Sequence, residues 1–414
     1  MVVWCQIIEH MYVFDRIGGQ DTRAQRSVMR LLHISDLHIG KQVNEFPMLD
    51  DQRFMLERIL DIIRTRKVDA LLIAGDIYDR SAPSADAVAC VDWFLSAVAK
   101  TGVACIAVPG NHDSAERVAY ASGLLAENGV HLAPVYNGEI AHIGLEDEHG
   151  PVVFWLFPSL KPAIVRPFFP NEEIATYTDA LRLVVDSCPL DSTMRNVALT
   201  HQFVTYGGTQ PDRTDSELSL GGVDNVDVGV FDAFDYVAIG HVHRPQRIGR
   251  DTARYSGSLL KYSASEVDHP KSAPLVTLGE KGSVDIELIP LEPLHDMRRI
   301  RGPLADLVSD ETVAELSQSD RENYLHVVLT DAFPPVDALS TLRSVYQNVM
   351  SISYDNARSE SDAAYDAEEE ENALERLSPI ELFARFYESQ NGKPLTQNQN
   401  KLAVNALENN EEDR

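Results

Sequence analysis

The stretch Met29-Arg-Leu-Leu-His-Ile-Ser-Asp36-Leu-His38 decides how the chain is read. Six residues, largely apolar, end in two metal-ligand types two positions apart. A run of this length without polar alternation reads as a strand covered on both faces. Residues two apart at a strand end can project to the same side. Four more segments repeat the theme over about 200 residues: Gly75-Asp76-Ile-Tyr-Asp79, Gly110-Asn111-His112-Asp113, Thr200-His201 and Gly240-His241-Val-His243. Most follow an apolar run directly.

Between these segments the pattern alternates in βα fashion. Met48, Leu49, Met55, Leu56, Ile59, Leu60 and Ile63 recur at helical spacing, and Val68–Ala74 reads as a strand. Ser84 caps a helix carrying Val88, Val91, Phe94, Leu95 and Val98, which Gly102 stops. Val103–Val108, Val152–Phe157, Asn196–Thr200 and Tyr236–Ile239 read as further strands, and strand character resumes at Leu275. Strand ends of an α/β sheet open into a shared crevice. There Asp, Asn and His suit Mn²⁺, Fe²⁺, Mg²⁺ or Zn²⁺. A carboxylate such as Asp76 can bridge two cations about 3.5–4 Å apart, the spacing for in-line displacement at phosphorus.

Arg298–Asp355 forms a separate α+β pattern: helix Leu304–Leu307, strand Tyr324–Leu329, helix Val336–Tyr346 and strand Val349–Tyr354. The acidic, low-complexity run Ser359–Glu371 reads as a solvated linker. Ser378-Pro-Ile-Glu381 is a capping box with Pro at the first helical position, opening a helix with Leu382, Phe383, Phe386 and Tyr387. A second helix is expected over Gln397–Leu407. Isolated helices this short are marginal in water, so both need a surface to pack on. The expected organisation is a 1–28 extension (disordered, or a start codon assigned too early), a main α/β domain at 29–290, a small α+β domain at 291–357, a linker at 358–377 and a helical segment at 378–414 that packs on another surface.

The net charge of −28 argues against a broadly basic nucleic-acid surface. The last 60 residues hold 15 acidic against 6 basic side chains, yet most of the excess lies elsewhere. Any grip on a polyanion must use local basic patches, metals or a partner subunit. Arg213, Arg244, Lys261 and Lys271 lie near the motifs and are candidates. The four cysteines, Cys5, Cys90, Cys105 and Cys188, share no CxxC spacing and fit a reducing cytoplasm. No apolar run of about 18 residues suggests a membrane span, and residues 1–28 have no signal-peptide pattern.

The order D-x-H, GD-x-x-D, GNHD, H, GH-x-H resembles the calcineurin-like metallophosphoesterase superfamily. The stretches His201-Gln-Phe-Val, Gly240-His-Val-His-Arg-Pro-Gln246 and Tyr255-Ser-Gly-Ser-Leu-Leu-Lys-Tyr262, with Ser265-Glu266, resemble its SbcD branch of bacterial nuclease subunits. Tyr324–Asp331 resembles the branch's capping domain, and Leu377–Phe383 its docking segment. The resemblance implies a four-layer α/β sandwich of two mixed sheets flanked by helices, with a small α+β capping domain and C-terminal docking helices. It implies that Asp36, His38 and His243 hold one metal, Asn111, His201 and His241 a second, and that Asp76 bridges them. His112 would be the catalytic non-ligand, oriented by Asp113. Two Mn²⁺ ions, an SMC-like ATPase partner of the SbcC type, DNA, a nuclease homodimer and a cytoplasmic, nucleoid-associated setting are likewise implied. The expected activity is 3′–5′ double-strand exonuclease and single-strand or hairpin endonuclease. The same five motifs would also serve a stand-alone phosphodiesterase or phosphatase on a non-DNA substrate, or survive in a non-catalytic scaffold for the ATPase. For His10, His33, His131, His142, His149, His269, His295 and His326 the reading is structural, with His33 nearest to the site.

Overall fold

A computed structural model describes residues 27–212, 214 and 224–355, with isolated positions 384, 387, 396, 399, 400 and 402. The expectations for the N-terminal extension, the acidic linker and the body of the docking helices lie outside the described residues, as does Arg213. The chain divides into two compact units, Met1–Asp296 and Met297–Arg414.

The first unit is a mixed α/β sandwich. Its strands run in the order β1 (Met29–Ile34), the short pair β2 (Gln42–Val43) and β3 (Phe46–Pro47), β4 (Ala70–Ala74), β5 (Ala104–Val108), β6 (Val130–Leu132), β7 (Ala141–Asp147), β8 (Gly150–Phe157), β9 (Arg195–His201), β10 (Phe203–Thr205), β11 (Asn225–Asp227), β12 (Tyr236–Gly240), β13 (Gln246–Ile248), β14 (Arg250–Tyr255), β15 (Ser272–Leu278) and β16 (Val284–Pro290). One six-stranded sheet has the order β16-β15-β1-β4-β5-β6, and the second β13-β14-β12-β9-β8-β7. The neighbours β1, β4, β5 and β6 pair in parallel, as do β8, β9, β12 and β14. Antiparallel strands close the outer edges: β15 and β16 on the first sheet, β7 and β13 on the second.

Strand β8 shows why two layers form. Val152, Phe154 and Leu156 pack with Leu31, Leu72 and Ile106 of the first sheet. Val153, Trp155 and Phe157 point the other way, into a cluster with Leu181 and Val184 of helix Tyr177–Asp186. That is the period of two of a strand with both faces buried. Trp155 is fully buried, and its indole N–H is satisfied by Asn196 Oδ1 at 2.9 Å. On the first sheet, helix Ala85–Thr101 packs against β5 and against helix Leu49–Thr65. Ser84 Oγ accepts from Ala87 N at its start, and Gly102 at its end adopts φ +72°.

The second unit is a parallel sheet of β17 (Met297–Gly302), β18 (Tyr324–Leu329) and β19 (Asn348–Tyr354), in that order. Helices Leu304–Leu307, Asp310–Glu315 and Gln318–Glu322 connect the first two strands, and Ala338–Arg343 the last two. Leu325, Val327, Leu329, Leu342, Tyr346 and Val349 form its core. The helix expected over Val336–Tyr346 is shorter because Asp337, at φ +54°, turns the chain into it. Among the described residues no helix is long and apolar enough to cross a membrane.

Candidate metal centre

All five motifs sit at or just after the carboxyl ends of parallel strands. Asp36 and His38 follow β1, Asp76 follows β4, Asn111 and His112 follow β5, His201 ends β9, and His241 and His243 follow β12. The backbone bends sharply to do this. Asp36 (φ +52°), His38 (+44°), Asp76 (+50°) and His241 (+104°) all adopt left-handed conformations. Each such residue costs about 1–3 kcal/mol and persists only where its surroundings fix it. Here the loops brace one another: Asp36 N donates to Gly75 O (3.1 Å) and His38 N to Asp76 O (2.9 Å). Two glycines allow the closest approaches. A Cβ on Gly240 would overlap the Ala74 carbonyl oxygen, and one on Gly110 the Asp76 carboxylate.

The seven residues expected as metal ligands come together. Ligand atoms of Asp36, His38 and His243 lie within 4.8 Å of one another, and so do those of Asp36, Asp76 and His201. Asn111 Oδ1 lies 3.0 Å from His201 Nε2 and 2.9 Å from His241 Nδ1. His38, Asp76 and His112 form a third such group, which links the first two.

The outer hydrogen bonds fix which ring nitrogens face the centre. His201 Nδ1 donates to the Ala74 carbonyl at 2.9 Å. In the neutral ring Nε2 is then a lone pair, yet it faces Asn111 Oδ1 and, at 3.3 Å, Asp76 Oδ2. Three acceptors meeting at one point repel unless a proton or metal ion sits among them. His243 is oriented in the same way: its Nδ1 donates to Glu266 Oε1 at 3.0 Å, which aims Nε2 at His38 Nε2, 3.1 Å away. Outer hydrogen bonds that fix the tautomer while the inner nitrogen faces inward are the usual support of metal-binding histidines. The residues therefore fit two divalent ions.

The buried groups of the centre also shift one another's titration. Burial opposes charge on His201, but Asp76 outweighs it and pushes the imidazole up to about 9. Burial, reinforced by the His201 charge, lowers His241 to about 3. Burial likewise holds His38 well below its usual value. Asp36 is raised by burial, with the Asp76 charge adding to it, against the pull of His201 and His243. Asp76 is depressed, because His201 overcomes the cost of its burial.

His112 is held differently from the sequence expectation. Its Nδ1 lies 3.0 Å from the backbone carbonyl of Asp79, and its backbone N–H donates to Asp76 Oδ1 at 2.9 Å. Asp113 does not bond the His112 ring. Its carboxylate instead accepts three backbone N–H groups, from Gly110 (2.9 Å), Ile77 (3.0 Å) and Tyr78 (2.9 Å). It ties the loop carrying Asn111 and His112 to the loop carrying Asp76. The Asp79 side chain pairs with Lys41 Nζ at 2.8 Å and lies 3.8 Å from His38 Nδ1.

The basic candidates are also reassigned. Lys271 is buried, 2.6 Å from Glu266, and cannot touch a polyanion. Lys261 pairs with Asp296 at 2.8 Å, and Arg244 with Asp212 at 2.5 Å. A cleft of about 320 Å³ over the centre is lined by Asp76, Asn111, His112 and His201 together with Lys161, Tyr177 and Phe203. Lys161 is exposed and, among the described residues, in no ion pair. Nothing in its sequence neighbourhood marked it, because only the fold brings the loop after β8 to the cleft. His33 is buried with Nδ1 3.0 Å from the Tyr236 hydroxyl, in keeping with a structural role.

The model for the calcineurin-like phosphoesterases matches residues 29–245, which contain every residue of the centre. The chain belongs to the calcineurin-like phosphoesterase family. Members of this metallophosphoesterase family use dimetal centres, so a metal-dependent phosphoester hydrolase is the chemistry the fold carries. A second model, SbcD_C, described as the type 5 capsule protein repressor C-terminal domain, matches residues 293–391. The two matches together make an SbcD-type phosphoesterase. Among solved structures, the chain is similar to a dimetal phosphatase from Danio rerio at 13% identity, over 64% of this chain and 100% of that one, with a TM-score of 0.37. It is also similar to TT1561 of Thermus thermophilus at 14% identity, over 63% and 99%, with a TM-score of 0.33.

Proposed function

We propose that this phosphoesterase hydrolyses DNA phosphodiesters as the nuclease subunit of an assembly with an SMC-like ATPase. It would be an exonuclease on duplex ends and an endonuclease on single strands and hairpins. The observation that carries the phosphoester chemistry is the convergence of seven ligand types at one centre, with His201 Nε2 facing the oxygens of Asn111 and Asp76. The match of the second unit to the SbcD_C model supports the assignment to DNA and to an ATPase partner. In this reading the second unit is a capping domain, the segment 378–414 docks on the ATPase, and the nuclease forms a homodimer.

Asp36, His38 and His243 would hold one ion, Asn111, His201 and His241 the other, with Asp76 between them. Two bound divalent ions, Mn²⁺ in this proposal, supply an activated water and neutralise charge on the phosphoryl oxygens. The chain's own residues do the rest. With Nδ1 held by the Asp79 carbonyl, His112 presents Nε2, which carries a proton to the leaving 3′-oxygen. Lys161, at the cleft wall, meets a phosphate of the incoming strand. Asp113 keeps the Asn111–His112 loop in register with Asp76. The negative charge of the chain restricts the polyanion to this metal-bearing cleft and to surfaces lent by a partner.

The test is cleavage of end-labelled duplex and hairpin DNA by the full chain with Mn²⁺, with and without the ATPase, alongside His112→Ala. Cleavage by the wild type that falls at least a hundredfold in the variant supports the reading. A wild type that hydrolyses small phosphodiesters but leaves both DNAs intact, even with the ATPase, replaces it with a small-molecule phosphodiesterase.

A further inference from the structure

The two halves of the centre are backed by different chemistry. Behind His201 stands a neutral group, the Ala74 carbonyl. Behind His243 stands a carboxylate. Glu266 is fully buried, accepts the His243 Nδ1–H on Oε1 and binds the Lys271 ammonium on Oε2 at 2.6 Å. Lys271 donates further to the His243 backbone carbonyl (2.9 Å) and to Ser258 Oγ (2.8 Å). Neither Glu266 nor Lys271 lines the cleft, so neither meets substrate.

We propose that the Glu266–Lys271 pair makes the two metal positions unequal, so that the Asp36/His38/His243 position fills first and holds its ion more tightly. The inference rests on the dimetal reading. A carboxylate accepting the outer N–H of a ligating imidazole fixes the ring and raises the donor strength of its inner nitrogen, more than a carbonyl does. An isolated buried carboxylate would be costly, and Lys271 offsets part of that cost. Lys271 also holds Glu266 by the oxygen remote from His243, so the carboxylate stays behind the ring. Exposure points the same way. Asp36, His38 and His243 are all buried, whereas Asn111 is exposed and His241 half-buried, so water reaches the second position more readily. Glu266 is thus a positioning residue for one metal, and the second ion exchanges with solvent.

The experiment is a calorimetric titration of Mn²⁺ into the metal-stripped full chain. The wild type is expected to bind two ions in two affinity classes. Glu266→Ala weakens the tighter class by about 10–100-fold. Glu266→Gln, whose amide oxygen can still accept the His243 N–H, weakens it less. His241→Ala weakens only the looser class. Should Glu266→Ala fail to fold, the isosteric Gln variant decides: a tighter class unchanged within twofold overturns the proposal. So does a Glu266 variant that weakens only the looser class, or a wild type whose two ions bind identically. A wild type binding fewer than two ions removes the dimetal reading itself, and this inference with it.

Discussion

Replacing Asp113 separates two accounts of the catalytic loop. If its carboxylate clamps backbone, as its three N–H partners indicate, Asp113→Ala strands the amides of Gly110, Ile77 and Tyr78. Hydrogen bonds to a charged group contribute about 1.5–3 kcal/mol each, and an amide left unsatisfied costs about 1–3 kcal/mol. Asp113 is only half-buried, so water replaces part of the loss. The expected destabilisation of the metal-free protein is therefore about 3–5 kcal/mol, below the simple sum of three charged bonds. Asp113→Asn keeps one acceptor oxygen and turns an NH₂ group toward at least one donor, which costs about 1–3 kcal/mol. Urea denaturation gives the total. Hydrogen exchange locates it, since about 1.4 kcal/mol is a tenfold change in protection. Exchange at Gly110, Ile77 and Tyr78 should rise about 5- to 150-fold in the Asn variant, ahead of the core strands. Unchanged stability and exchange, with kcat reduced as far as in His112→Ala, would refute the clamp and show that Asp113 acts on the ring.

Further outcomes follow from other contacts. Gly240→Ala drives a methyl into the Ala74 carbonyl and the His201 ring, and should cost at least about 3 kcal/mol or prevent folding; a thermal melt within 2 °C of wild type contradicts it. Lys161→Gln should raise KM for a single-stranded oligonucleotide several-fold with kcat nearly constant, and flatten the salt dependence by about one phosphate contact; an unchanged salt slope removes Lys161 from substrate binding. His33 is lowered to about 3 by burial and by the Arg254 charge. The unfolded chain therefore binds the extra proton first, and stability is lost as pH falls from about 6.5 towards 3, by up to about 1.4 kcal/mol per pH unit. Denaturation of wild type and His33→Gln between pH 7 and 5 checks this, and equal slopes contradict it.

The parts of the fold that were legible share one property, a covered apolar face with a clear period. Strand β1, the helix capped by Ser84 and strand β8 are examples. Strand β17 was not legible. Met-Arg-Arg-Ile-Arg-Gly exposes three arginines and, among the described residues, pairs on one side only, so no alternation survives. The site divides in the same way. Asp36, Asp76, Asn111 and the histidines carry their chemistry in side chains next to glycines and strand ends, and the sequence shows them. The Asp79 carbonyl behind His112 and the three amides on Asp113 are backbone atoms, which leave no residue-type signal. Lys271 looks like an ordinary surface lysine until the fold buries it against Glu266. Asp113 was expected to orient its sequence neighbour, but neighbours in a tight turn can point to different partners.

The central claim is that one shared carboxylate organises two metal ions in this cleft. The measurement that tests it most directly is the number of Mn²⁺ ions bound per chain at saturation, in the wild type and in Asp76→Ala. Two ions in the wild type and at most one in the variant are the predicted result. Two in both, or none in the wild type, would contradict it.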